Sequence, residues 1–128
     1  MSTPLQALVK WEQIVNALMD ATRRFPKTLR PTLGRRLDDA CIDALLKLSE
    51  ARYQPKEMKQ NTLKEVDQRL ASVRVLLRLA QARDAVSGTL YLHLSEQIDE
   101  IGRMIGGLRR ASANSEQDPE PSRYPQQT

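Results

Sequence analysis

Between Leu63 and Ala80 an apolar residue recurs at alternating steps of three and four: Leu63, Val66, Leu70, Val73, Leu77 and Ala80. This spacing keeps one face of an α-helix apolar over about five turns, and such a stripe is stable only when another element covers it. The chain carries three further segments of the same kind. Leu8, Trp11, Val15, Leu18 and Thr22 mark a helix over about residues 5–24, and Leu37, Cys41, Ala44, Leu48 and Ala51 mark one over about 31–52. Leu90, Leu94, Ile98, Ile101, Ile105 and Leu108 mark the last, over about 89–110. Four amphipathic helices with short connections predict an all-α, antiparallel, up-down four-helix bundle.

The helix limits follow from breakers and caps. Phe25-Pro26 ends the first helix, because a residue before proline is pushed out of the α region, and Pro31 is suited to open the second. Thr62-Leu63-Lys64-Glu65 fits a capping box and places a helix start at Thr62, with Pro55 as the alternative start. That third helix is expected to reach about Ala85, before Ser87-Gly88. Residues 111–128, with three prolines and no apolar period, read as a disordered polar tail beyond a bundle domain of residues 1–110.

Composition narrows the class. A chain of 128 residues with 40% hydrophobic and 4% aromatic residues supports one domain and favours helix over sheet. A single cysteine, no secretion-signal pattern at the N-terminus and no apolar run near membrane-spanning length give the expectation of a cytoplasmic protein without a membrane partner. The net charge is +4, and residues 1–110 carry 19 basic against 13 acidic side chains, an excess that suits an acidic partner such as nucleic acid.

Catalytic groups are sparse. His93 is the only histidine, and His93-x-x-Glu96 reverses the order that di-iron bundles use. Cys41 lies on a core stripe and reads as a packed thiol, and no phosphate-cradling glycine loop is present. No enzyme activity, metal or cofactor is therefore expected. Basic residues are more informative. Arg23, Arg24, Lys27, Arg30, Arg35 and Arg36 gather around the first connection with no acid between Thr22 and Leu37. In the third helix Arg74 and Arg78 are one turn apart on one side of the leucine stripe, with Arg69 and Arg83 on the other. Lys27, Arg30, Arg36, Arg74 and Arg78 are the candidate nucleic-acid contacts. Solvated helix ends and pairing with Asp38 or Asp67 would account for the same residues without a ligand.

Two features suggest self-association. The second helix has another stripe, Ile42, Leu46, Ser49 and Tyr53, which a bundle core does not need. Gly102-x-x-x-Gly106-Gly107 is costly inside a helix, at about 1 kcal/mol per glycine relative to alanine, and suggests a close approach by another backbone or a frayed end. Ile42, Leu46, Tyr53, Gly102 and Gly106 are the candidate oligomer interface.

Three stretches together resemble the accessory variability determinant (Avd) proteins of diversity-generating retroelements, within a superfamily that includes four-helix proteins encoded in intervening sequences of ribosomal RNA genes. They are Phe25-Pro26-Lys27 leading to Leu33-Gly34-x-Arg36-Leu37, then Arg74-Val75-Leu76-Leu77-Arg78-Leu79, then Ile101-Gly102-Arg103-Met104-Ile105-Gly106-Gly107. The resemblance spans about residues 8–110; Leu108 stands where the family often has tryptophan. It implies a four-helix bundle that assembles into a homopentameric barrel, binds RNA or DNA through a basic surface and docks a reverse transcriptase without itself being an enzyme. By motif it assigns Arg74 and Arg78 to the basic pair of the third helix, and Lys27 and Arg36 to the connection. A protein-interaction scaffold of the same fold, with no nucleic-acid role, is the competing expectation.

Overall fold

The computed structural model describes residues 3–117, with side chains described through Ala113. Four α-helices follow one another: α1 (Pro4–Arg23), α2 (Arg35–Tyr53), α3 (Lys56–Ala82) and α4 (Gly88–Gln117). A π-helical turn, Arg30–Gly34, leads into α2. Packing of α1 on α2, α2 on α3, α3 on α4 and α4 back on α1 closes the ring, leaving α2 and α4 diagonal. The bundle is the expected one.

Each apolar stripe turns inward. All the stripe residues of α2 and α3 are buried, from Leu37 to Ala51 and from Leu63 to Ala80, and Leu94, Ile98, Ile101 and Ile105 of α4 meet them. In α1 the covered face is wider than the expected stripe, since Ala7, Ile14 and Ala21 are buried as well, while Leu8 is half-buried. Trp11 and Phe25 are the largest core side chains, and the indole Nε1 donates to the Cys41 carbonyl oxygen at 3.1 Å. That bond satisfies a buried polar donor that would otherwise cost about 1–3 kcal/mol.

The helix ends correct several expectations. The capping box lies at Thr3 and not at Thr62: Thr3 Oγ1 accepts from the Gln6 amide at 3.1 Å, and Thr3 N donates to Gln6 Oε1 at 2.9 Å. Thr62 is buried inside α3, and its hydroxyl donates back to the Met58 carbonyl oxygen at 3.4 Å. The helix opens instead after Pro55, the alternative start. Pro31 does open a helical segment, where its missing N–H costs nothing, but that segment is not yet α and α2 starts at Arg35. A wider turn forms, in which Gly34 N donates to Leu29 O at 2.9 Å.

The third helix stops at Ala82, three residues before the expected Ala85. Asp84 takes the left-handed conformation, φ 60°, while Ala85 N donates to Ala80 O at 2.8 Å and Asp84 N to Gln81 O at 3.0 Å. This paired closure normally uses glycine, and Asp is among the few side chains that tolerate it. Ser87 then caps α4 through its hydroxyl, which accepts from Leu90 N at 3.1 Å. Helix α4 continues to Gln117, seven residues beyond the expected end at Arg110, and residues 118–128 of the expected tail lie outside the described residues.

Candidate nucleic-acid interface

Up-down topology places the end of α1, the π-helical turn, the start of α2 and the end of α3 at one end of the bundle. Phe25 anchors that end: it is fully buried, and its carbonyl oxygen accepts from Arg30 Nε at 2.9 Å. The Phe25-Pro26 break thus directs the chain across the bundle while Lys27, Arg30 and Arg36 stay exposed around it. Thr22 is buried, and its hydroxyl donates to Asp38 Oδ1 at 2.7 Å, which ties α1 to α2 beneath the connection.

Charges in this region are unevenly paired. Arg23 meets Asp20 at 3.3 Å and Arg35 reaches Asp39 at 3.9 Å, both as exposed pairs within one helix. Arg24, Lys27, Arg30 and Arg36 form no ion pair among the described residues. Their positive charge is therefore left to solvent or to a ligand. Arginine and lysine so placed can approach phosphate oxygens, arginine with two parallel donors and lysine as a point charge.

The structure separates Arg74 and Arg78 from that cluster. Both lie on the flank of α3 that faces α4. Arg74 Nε is 3.3 Å from Asp99 Oδ1, and the Arg74 side chain keeps 40% exposure. Its guanidinium lies across Gly102, where an added Cβ would stand 2.7 Å from Nη2. Arg78, one turn on, is exposed and has no ion pair among the described residues. Lower on the same flank Arg109 Nη1 meets Asp67 Oδ2 at 2.6 Å, with each side chain about one-third exposed. The expected Asp67 pairing with a basic residue is present, although with α4 instead of a neighbour on its own helix.

The five candidate interface residues do not form one patch within the chain. Ile42 is half-buried against the core, whereas Leu46 and Tyr53 are 62% and 76% exposed on the outer side of α2. The Arg52 guanidinium lies 4.9 Å from the Tyr53 ring centroid, a cation–π distance. Gly102 and Gly106 stand on the diagonal helix α4. Gly102 accommodates Arg74 of its own chain, and Gly106 borders a shallow cleft of about 220 Å³ with Gln60, Arg109 and Arg110.

One surface is not evident from the sequence. Ser72, Val75, Leu76, Leu79 and Arg83 run along the α2-facing flank of α3, and Val75 and Leu79 are 52% and 47% exposed. Their three- and four-residue spacing is the signal that marks Leu46 and Tyr53 on α2, and the adjoining core stripe obscures it. Among the isolated candidates for chemistry, burial, helped by Asp38, pushes the Cys41 thiol up to about 12. His93 is exposed. Lys47 is raised above its ordinary value, chiefly by its hydrogen bond with Glu65, 3.0 Å away. Among the described residues no group of three or more His, Cys, Asp or Glu side chains gathers as a metal site would, and no helix is long and apolar enough to cross a membrane.

No curated protein matches the chain, and no solved structure does. A family model does, over residues 6–112, which reaches all four helices and includes the connection and both arginine flanks. With that match over most of its length, the chain belongs to the bAvd-like family.

Proposed function

We propose that this chain is a non-enzymatic accessory protein of the Avd type that binds RNA or DNA as a homo-oligomer and assists the reverse transcriptase of a diversity-generating retroelement. The observation that carries the reading is the unpaired basic end. Six basic residues and no acid occur from Arg23 to Arg36, and Lys27, Arg30 and Arg36 are exposed without a carboxylate partner among the described residues, although Arg30 Nε donates to the Phe25 carbonyl oxygen. Arg78 adds a further uncommitted charge on α3. Phosphate binding of this kind needs no base-specific pocket and weakens as salt rises, because it releases condensed counterions.

Assembly into a ring, the homopentamer of the family resemblance, fits the separation of the candidate patches. A head-to-tail contact joins two different surfaces of neighbouring copies and generates a ring when its rotation closes. The outer side of α2 with Leu46 and Tyr53, and the α4 face with Gly106, are two such surfaces. A ring would repeat the basic end in every copy, so that one strand meets several weak sites and gains by avidity. The exposed Leu46 and Tyr53 also suit the competing scaffold reading, in which the oligomer ignores nucleic acid.

Titrating labelled RNA and DNA into the full chain at several salt concentrations separates the readings. Salt-sensitive binding that Lys27→Glu/Arg36→Glu removes, at unchanged native mass, supports the accessory reading. A native oligomer that stays unbound at low salt removes the nucleic-acid role and leaves the scaffold.

A further inference from the structure

Between the π-helical turn with α2 on one side and α3 on the other run two clefts that share Arg36 and Leu76, of about 370 and 640 Å³. Leu29, Leu33, Leu76 and Leu79 wall the smaller one, with Arg36 and Arg83 among its lining and no carboxylate there. The larger continues along Ala40, Ala71 and Val75, with Arg69 and the acids Asp39 and Asp43 also lining it. Arg36, Arg69 and Arg83 form no ion pair among the described residues. From Arg69 to Arg83 the groove follows α3 for roughly 20 Å, the length of about four helical turns.

A strand of nucleic acid is a poor match for this surface. Single strands are held by stacking on aromatic rings as well as by charge, and the groove is walled by aliphatic side chains. An amphipathic helix fits better: its apolar anchors at i, i+3 or i+4 and i+7 follow a groove of this length, and flanking acids meet the rim arginines. We propose that the α2–α3 groove is a docking site for an acidic, leucine-bearing helix of a partner protein, seated on Leu29, Leu33, Leu76 and Leu79 and oriented by Arg36 and Arg83. The carboxylate-free small cleft receives the acidic end of that helix, and the mixed charges of the larger one set its direction. This holds whether or not the connection end carries nucleic acid, since only Arg36 belongs to both surfaces.

The test uses the full chain with isotope-labelled leucine and valine methyl groups. The probe is a synthetic four-turn peptide with leucines on one helical face and glutamates beside them; a control peptide of equal composition has its leucines scattered. Saturable methyl shifts at Leu29, Leu33, Leu76, Leu79 and Val75 are expected from the first peptide only, with affinity falling as salt rises. Leu79→Glu is expected to weaken binding about tenfold or more, and Arg83→Glu to flatten the salt dependence. Leu79→Gln is the companion variant that keeps the charge unchanged, and thermal unfolding confirms that each variant folds. The proposal is overturned by absent shifts, by equal shifts from the control peptide, or by Leu79→Glu lowering the native mass, which would assign the groove to a second copy. Oligonucleotides moving the same methyls would assign it to nucleic acid and overturn it equally. Because Leu79 and Arg83 lie outside the proposed phosphate contacts, loss of peptide binding and loss of RNA binding are separate results.

Discussion

The two flanks of α3 carry the same residue type to different ends. Towards α4, Arg74 is held by Asp99 over Gly102, and Asp67 is held by Arg109. Towards α2, Arg69 and Arg83 stand beside exposed Val75 and Leu79 with no ion pair among the described residues. A helical wheel places the two pairs of arginines almost symmetrically about the leucine stripe. What sets Arg74 apart from the other three is a carboxylate within reach, Asp99 on α4; Arg78, Arg69 and Arg83 form no ion pair among the described residues. Arginine content alone is therefore a poor guide to a binding face; uncommitted arginine is a better one.

The core shared by both flanks is the most sensitive part of α3. Leu77 is 1% exposed, and Leu77→Ala is expected to cost about 2–5 kcal/mol in denaturant unfolding, through reduced burial and a residual cavity. A loss below about 1 kcal/mol would mean that the packing around α3 collapses readily and that the flanks are not held by one rigid core. The next effect separates the flanks. Asp67→Ala is expected to cost about 1 kcal/mol, allowing for the partial exposure of the pair, whereas Arg69→Ala and Arg83→Ala stay within about 0.5 kcal/mol of the parent. Equal costs on both sides would erase the distinction.

A smaller effect sharpens it. Coupling between Arg74 and Asp99, measured by a double-mutant cycle, should be about 0.5 kcal/mol and should vanish in a Gly102→Ala background, where the new Cβ displaces the guanidinium. Coupling that survives the alanine would show that the glycine serves something else. At neutral pH the least visible effect concerns Cys41, whose thiol rises from 9.0 to about 12 in the folded chain. The native protein holds that proton where the unfolded chain loses it. Stability from this group is thus complete below pH 9.0 and lost as pH climbs towards about 12. Cys41→Ala should flatten that alkaline decline, and a thiol reagent at about pH 8 should label the parent only when denaturant is added.

Much of the bundle is legible because burial and period coincide. The stripes of α2 and α3 are recognisable from spacing alone, and all their members are buried. Helix limits are less legible because a cap is defined by backbone geometry. Thr62-x-x-Glu65 and Thr3-x-x-Gln6 are equally good capping signals, yet only Thr3 stands where a chain enters a helix. Asp84 ends α3 in a conformation that favours glycine, so no glycine announces it. For the candidate site, the acid-free run around Phe25-Pro26 is visible because its residues are neighbours in sequence. The seat of Arg74 is not, since Asp99 and Gly102 come to it from another helix across 25 residues or more of chain.

On the proposed function, uncommitted basic residues at the connection end carry nucleic-acid binding while Arg74 is occupied by Asp99. Its most direct test is the salt dependence of RNA affinity in the parent, in Lys27→Gln/Arg36→Gln and in Arg74→Gln, each at the same native mass. The slope of log affinity against log salt is expected to fall by about 0.7 for each phosphate that the first variant no longer neutralises, and to change little in the second. A slope that collapses with Arg74→Gln and persists with Lys27→Gln/Arg36→Gln would contradict it.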